Sequence, residues 1–220
     1  MENISKKQFI LLCVPPILCI SMLLLIPFLT YKIGRTVGYI AGFGIYWFIF
    51  CLPFSLYYIN NDFKKIYCQK SNRRKVENYI LNFAAFIPCI ATFFVVFIKF
   101  IPIAGFKVLI IAFLFALING TLEEMFWRGV FNRVFYNKIL LAYIYPTIFF
   151  GIWHIALYYA KGIEYQGGFA SLVGGSFFMG ILWGWIAYKT KSIKVIATAH
   201  IITNFFAFTG MIFENWFAYL

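Results

Sequence analysis

Acidic residues are scarce in this 220-residue chain: seven Asp and Glu stand against nineteen Lys and Arg, and there are only two histidines. Charged residues of both signs make up 12%, roughly half the share found in soluble domains. No polar stretch is long enough to fold as a separate soluble domain; the longest connection between apolar runs, residues 60–78, is short and basic. No HExxH pair occurs, so the commonest signature of a zinc protease is missing. The five cysteines, Cys13, Cys19, Cys51, Cys68 and Cys89, have neither metal-knuckle nor disulfide-framework spacing. Four read as small buried hydrophobes and Cys68 falls in a basic loop. The chain has no internal repeat and no low-complexity tract. The first apolar run, from Gln8 to about Tyr31, lacks a small-x-small cleavage site and contains Pro15 and Pro16. It reads as a retained first span rather than a signal peptide.

What the chain has in excess is apolar surface: 63% hydrophobic and 23% aromatic residues, with Phe occurring 29 times. A water-soluble fold of this length has no interior large enough for it, whereas a bilayer solvates the outer face. A spanning helix needs about 20 mostly apolar residues, and seven segments qualify: 9–30, 37–59, 79–98, 107–126, 140–160, 169–188 and 193–213. The expected fold is an all-α polytopic transmembrane helix bundle, a single integral membrane domain over 1–220.

Basic residues fall unevenly on the two sides of such a bundle, fourteen against five. The positive-inside rule then places the N-terminus in the cytoplasm of a multi-pass cell-membrane protein. The same residues account for the basic balance as topology signals and lipid-headgroup contacts. No basic stripe with interleaved aromatics stands outside the membrane, so nucleic acid is excluded as a partner. Gly34, Gly38 and Gly42 recur at four-residue spacing, as do Ser176, Gly180 and Gly184. These faces let helices approach closely in lipid. Residues 129–138 read as an amphipathic continuation of the fourth span along the cytoplasmic surface. Lys-, Ile-, Asn- and Phe-rich usage matches a bacterium with an AT-rich genome.

Ionisable groups inside a span are expensive facing lipid and usually functional. Four acidic or histidine side chains fall there: Glu123 and Glu124 near the cytoplasmic end of the fourth span, His154 in the fifth and His200 in the seventh. Glu124 and Arg128, four apart, share a helix face and can pair. Glu123 points about 100° away toward another neighbour, which gives two adjacent carboxylates different environments. His200 and Asn204 share a face, and Phe150 sits where it packs beneath the His154 ring. Each group alone has a bland reading as a snorkelling carboxylate or a packing hydrogen bonder. Together they are expected to converge inside the bundle.

The stretch Glu123-Glu124-Met125-Phe126-Trp127-Arg128 resembles the EExxxR motif of the CPBP (Abi) family, the CAAX proteases and bacteriocin-processing enzymes. Phe150-Gly151-Ile152-Trp153-His154 resembles its FxxxH motif and His200-Ile201-Ile202-Thr203-Asn204 its HxxxN motif. The motifs lie in family order within 107–210; the first three spans resemble nothing specific. The resemblance implies a helical membrane fold with a conical, cytoplasm-facing cavity, often with eight spans against the seven counted here. It implies a glutamate-dependent endopeptidase acting on a membrane-associated peptide or protein, with no cofactor or metal. Glu123 and His154 would activate a water, His200 and Asn204 would stabilise the oxyanion, and Glu124, Arg128 and Phe150 would support them.

Three other readings remain. Two His and a Glu suffice for a catalytic zinc site. The same helices in a non-enzymatic immunity or scaffold protein would bind a peptide or a kinase. A proton relay or small transporter would also place titratable groups in the membrane.

Overall fold

The structure, a computed structural model, describes residues 4–60, 62–67 and 75–218; Cys68, Lys70, Arg73 and Arg74 lie outside them. The described residues form helices joined by short turns, with no strand among them. Six helical stretches are long and apolar enough to cross a membrane, making this a multi-pass helical bundle.

Helix α1 (Lys6–Lys32) begins with a capping box. Gln8 N–H donates to Ser5 Oγ, and the Gln8 side chain accepts from the Ser5 N–H, satisfying two amides that no helical carbonyl can reach. Three prolines, Pro15, Pro16 and Pro27, lie within α1, a density that membrane helices tolerate. Gly34 then turns the chain with φ of 89°, a conformation that a side chain would strain. Helix α2 (Arg35–Ile59) returns directly along α1. At Gly38 the two backbones nearly touch: a Cβ there would sit 2.5 Å from the carbonyl of Leu29. This close approach is the packing role expected of the small-residue face.

After α3 (Phe63–Tyr67), the chain from Lys75 to Val134 is 60 residues of nearly unbroken helix. Straight, it would be about 90 Å long, three times the hydrocarbon core of a bilayer. It breaks at two points instead. Phe86 leaves helical geometry at φ −89°, ψ 0°, and Trp183 Nε1–H donates to the adjoining Ala85 carbonyl at 2.9 Å. Gly105 adopts φ 71°, ψ 164°. The pieces are α4 (Lys75–Ala84), α5 (residues 87–104) and α6 (residues 106–134). Helices α7 (Leu140–Tyr158), α8 (Ala170–Thr190) and α9 (Lys194–Phe217) follow.

Helix α9 is the centre against which α5 and α6 pack. Along α5, Cys89 meets Ala199 and Phe100 meets Phe213, so α5 runs parallel to α9. Along α6, Gly120 meets Ile201 and Phe115 meets Phe208, so α6 runs antiparallel. The turn at Gly105 therefore reverses the chain, and the 60-residue stretch goes out and back.

Cys19, Cys51 and Cys89 are buried and free, and Cys13 is half-buried and free. Residues 129–138 differ from the expected surface helix. They continue α6, but Val130, Phe131 and Phe135 are fully buried, with Phe131 against Phe126, Phe135 and Tyr145. Enough helix surrounds this end of α6 for its apolar face to find protein rather than headgroups.

Candidate active site

Toward its end α6 places Asn119 and Glu123 four residues apart on one face. The next turn, Glu124–Val130, widens to π geometry, and every residue in it is buried. Such single π turns occur often at functional sites. Here the turn carries the Glu124 carboxylate and the Arg128 guanidinium, with Glu123 just before it, into a protein interior.

Glu123 has no exposed surface, and each of its oxygens has a donor. Tyr46 Oη–H donates to Oε1 at 2.7 Å and Asn119 Nδ2–H to Oε2 at 2.9 Å. A second tier fixes these donors. Trp127 Nε1–H donates to Tyr46 Oη and Trp47 Nε1–H to Asn119 Oδ1, both at 2.8 Å. Tyr46 also stacks on Trp153, with ring centroids 3.9 Å apart and planes 17° off parallel. Tyr46→Phe deletes the Glu123 donor and leaves the Trp127 indole N–H without its acceptor. It should lower stability by about 1–3 kcal/mol, read as the melting midpoint in detergent.

Glu124 faces the other way, as the helical offset requires. Its Oε1 accepts from Arg128 Nη1 at 3.0 Å and lies 2.8 Å from His200 Nδ1. The Arg128 guanidinium sits 4.0 Å above the Phe150 ring, a favourable cation–π arrangement for a charge buried to 3% exposure. His200 stands between the carboxylates, its Nε2 3.4 Å from Glu123 Oε2. Nδ1 is placed to donate to Glu124 Oε1, and the Nε2 contact with Glu123 is longer than an ordinary hydrogen bond. The indole of Trp183 lies against the His200 ring at 4.5 Å.

His154 Nδ1 is 2.7 Å from the Phe150 carbonyl of its own helix. A carbonyl only accepts, so Nδ1 carries the proton and Nε2 of the neutral ring is left as an acceptor. The Phe150 ring meets His154 edge-on at 4.8 Å and His200 at 6.2 Å, joining the two histidines through one aromatic.

His154, His200 and Asn204 line one cavity of about 350 Å³, together with Asn119, Trp153 and apolar side chains of α5 and α8. Asn204 is 8% exposed, and its Nδ2 has no hydrogen-bond partner among the described residues. Glu123 lies behind Asn119 and His200 rather than on the cavity wall. The seven residues singled out by sequence thus form two joined groups: Glu123, Glu124, Arg128 and His200 in direct contact, and His154, His200 and Asn204 on the cavity, with Phe150 between them.

Two features differ from expectation. The cavity extends toward Tyr39, Leu157, Tyr165 and Gln166, away from the basic connections, rather than opening beside Arg128. Near the basic side Phe126, Trp127 and Phe131 are packed without exposure. The residues that fix Glu123, Tyr46 and Trp47 of α2 and Asn119 of α6, were not anticipated. Asn119 was signalled by its four-residue offset from Glu123 and its polarity within a span; Tyr46 and Trp47 carried no local signal. Among the described residues no three of His, Cys, Asp and Glu are grouped to hold a metal ion, and His200 turns both nitrogens to carboxylates.

The family model of the type II CAAX prenyl endopeptidase Rce1-like proteins matches residues 105–206. The similarity covers 102 of the 220 residues, just under half of the chain. The match opens at the Gly105 reversal and contains all seven site residues, while Tyr46 and Trp47 lie outside it. No curated protein and no solved structure matches the chain. The matched family is one of endopeptidases, and the matched stretch lies within a bundle of helices long and apolar enough to cross a membrane.

Proposed function

We propose that the protein is a glutamate-dependent endopeptidase that hydrolyses a peptide bond of a membrane-associated peptide or protein. The observation that carries this reading is the meeting of His154, His200 and the unpartnered Asn204 amide on one largely apolar cavity, with Glu123 immediately behind it.

Hydrolysis needs an activated water and donors for the oxyanion that forms. Glu123 is the general base in this reading; its carboxylate lies closed off behind Asn119 and His200, which must part for a water to reach it. The neutral His154 offers Nε2 as an acceptor that orients the water. Asn204 Nδ2 is a donor without a resident acceptor, suited to an oxygen that becomes negative only in the transition state. His200 Nε2 makes only a long contact with Glu123 and is the second donor. Arg128 and Glu124 hold His200 through Nδ1. Such donors commonly contribute about 3–4 kcal/mol each.

The cavity walls include exposed Ile87, Val95 and Phe178 of α5 and α8, so a substrate can enter sideways from lipid. In this reading the basic connections are cytoplasmic, the source is bacterial, and the substrate is an unprenylated peptide. The test compares new protein termini by mass spectrometry in membranes of cells expressing wild type or His154→Ala at equal levels. Termini present only with wild type, and persisting when cells are lysed with a strong chelator, are expected. Identical profiles would overturn the protease reading in favour of peptide binding or immunity.

A further inference from the structure

A second cavity lies at the basic end of the bundle. It has a volume of about 170 Å³ and is lined by Lys65, Arg128, Asn132, Arg133, Tyr136, Lys191 and Ser192 with apolar neighbours. Four of these side chains are cationic and none is acidic. Arg133 Nη2 and Lys65 both meet Asp62, at 3.8 and 2.5 Å, but three cationic atoms around the cavity have no hydrogen-bond partner among the described residues: Arg128 Nη2, Arg133 Nη1 and Lys191 Nζ, each buried. Buried charged donors are ordinarily paired, because desolvation without a partner is expensive. Arg128 itself is only 3% exposed. Three unpaired donors on one small cavity make a built receptor for an anion with several acceptor oxygens.

Two details narrow the anion. Planar guanidinium groups and an ammonium match tetrahedral phosphate oxygens. Asn132, 8% exposed, donates through Nδ2 to the Arg128 carbonyl at 2.9 Å, and its Oδ1 is buried without a donor among the described residues. That oxygen needs a hydroxyl, either of a protonated phosphate or of a polar headgroup. The surroundings mark the depth. Lys191 Nζ lies 4.4 Å over Tyr136 and 4.0 Å over Tyr188, and Lys189 Nζ lies 4.2 Å over Trp185. Such a belt of Tyr, Trp and Lys forms at the headgroup level of a bilayer. Leu140, which follows the Tyr136 turn, is 65% exposed and offers an apolar surface for an acyl chain.

We propose that this cavity binds a phosphate group, supplied by an anionic phospholipid whose headgroup carries a free hydroxyl, as in a phosphatidylglycerol. Basic pockets between membrane helices bind headgroups in this manner. Burial and the adjacent Lys189 charge hold the Lys191 ammonium below the ordinary lysine range, and a bound phosphate relieves both penalties. The site is separate from the substrate cavity and does not depend on the proposed hydrolysis. Arg128 nevertheless belongs to both, giving Nη1 to Glu124 and Nη2 to the phosphate cavity.

The test is native mass spectrometry of the full-length protein in detergent with equimolar phosphatidylglycerol and phosphatidylcholine, with and without inorganic phosphate. Wild type should retain the anionic lipid over the zwitterionic one. The R133Q/K191Q variant should lose that preference by roughly 30-fold, given the usual contribution of a basic residue near a headgroup. Lys189→Gln, which removes a single positive charge outside the cavity, should lose none of it. A single sharp gel-filtration peak for each variant shows that the fold is intact. Displacement of the lipid by millimolar phosphate places the phosphate group itself in the cavity. Phosphate adducts without any lipid preference assign the site to free phosphate and overturn the lipid as its source. Equal retention of both lipids with no phosphate adduct, or equal loss in Lys189→Gln, overturns the site.

Discussion

Glu123→Gln is expected to slow peptide hydrolysis by roughly 10²–10⁴-fold, the range over which a positioned general base contributes. The variant keeps the shape of the side chain. One oxygen still accepts from Tyr46 or Asn119, while the new amide faces the other donor. The penalty of that mismatch is on the order of 1–3 kcal/mol, so folded protein remains for assay. The measurement is single-turnover cleavage of a substrate peptide found by the terminus comparison, in parallel with a detergent melting curve. A rate within a few-fold of wild type would remove Glu123 from the chemistry. A rate lost together with the melting transition would assign it a structural role instead.

Removal of the imidazole at position 200 is the second large effect, and here stability should fall with activity. His200 lies 2.8 Å from Glu124 and 3.4 Å from Glu123, and both carboxylates have no exposed surface. His200→Ala leaves two acidic side chains facing each other across an emptied site beside Trp183 and Phe150. Breaking a buried charge cluster by deleting one member commonly costs about 3–5 kcal/mol. The melting midpoint should therefore drop steeply, and cleavage should be lost. Asn204→Ala provides the contrast. Its Nδ2 has no partner in the resting protein, so truncation should leave the midpoint nearly unchanged while cleavage falls by about 10²–10³-fold. If Asn204→Ala destabilises as much as His200→Ala, the amide is a structural element and the oxyanion assignment fails.

The expected convergence of Glu123, Glu124, His154 and His200 inside the bundle held, but only the pairs within one helix could be named in advance. Glu124 with Arg128 and Phe150 with His154 are both four residues apart, and helical geometry alone brings such pairs together; the structure has the first at 3.0 Å and the second at 4.8 Å. Asn119 and Glu123 obey the same rule, so this donor was legible although it was passed over. Tyr46 and Trp47 were not. They reach Glu123 and Asn119 from positions 77 and 72 residues away, and an aromatic residue in an apolar span looks the same whether it holds a carboxylate or faces lipid.

By itself the sequence determined the medium and the material of this protein. An apolar content of 63% with so few charges admits only a membrane bundle, and the four acidic and histidine side chains within apolar runs marked where its chemistry lies. Local periodicity was enough, because lipid leaves the backbone no alternative to helix. Tertiary packing decided the rest. It folded 60 helical residues back on themselves at Gly105, turned Phe131 and Phe135 inward, and set His200 between two glutamates 76 and 77 residues away. It also put the larger cavity on the side away from the basic connections. Those outcomes depend on which helix faces which and at what depth. In a chain whose helices are apolar all round, hydrophobic pattern carries no such information, and only side-chain shape and the pairing of buried polar groups decide it.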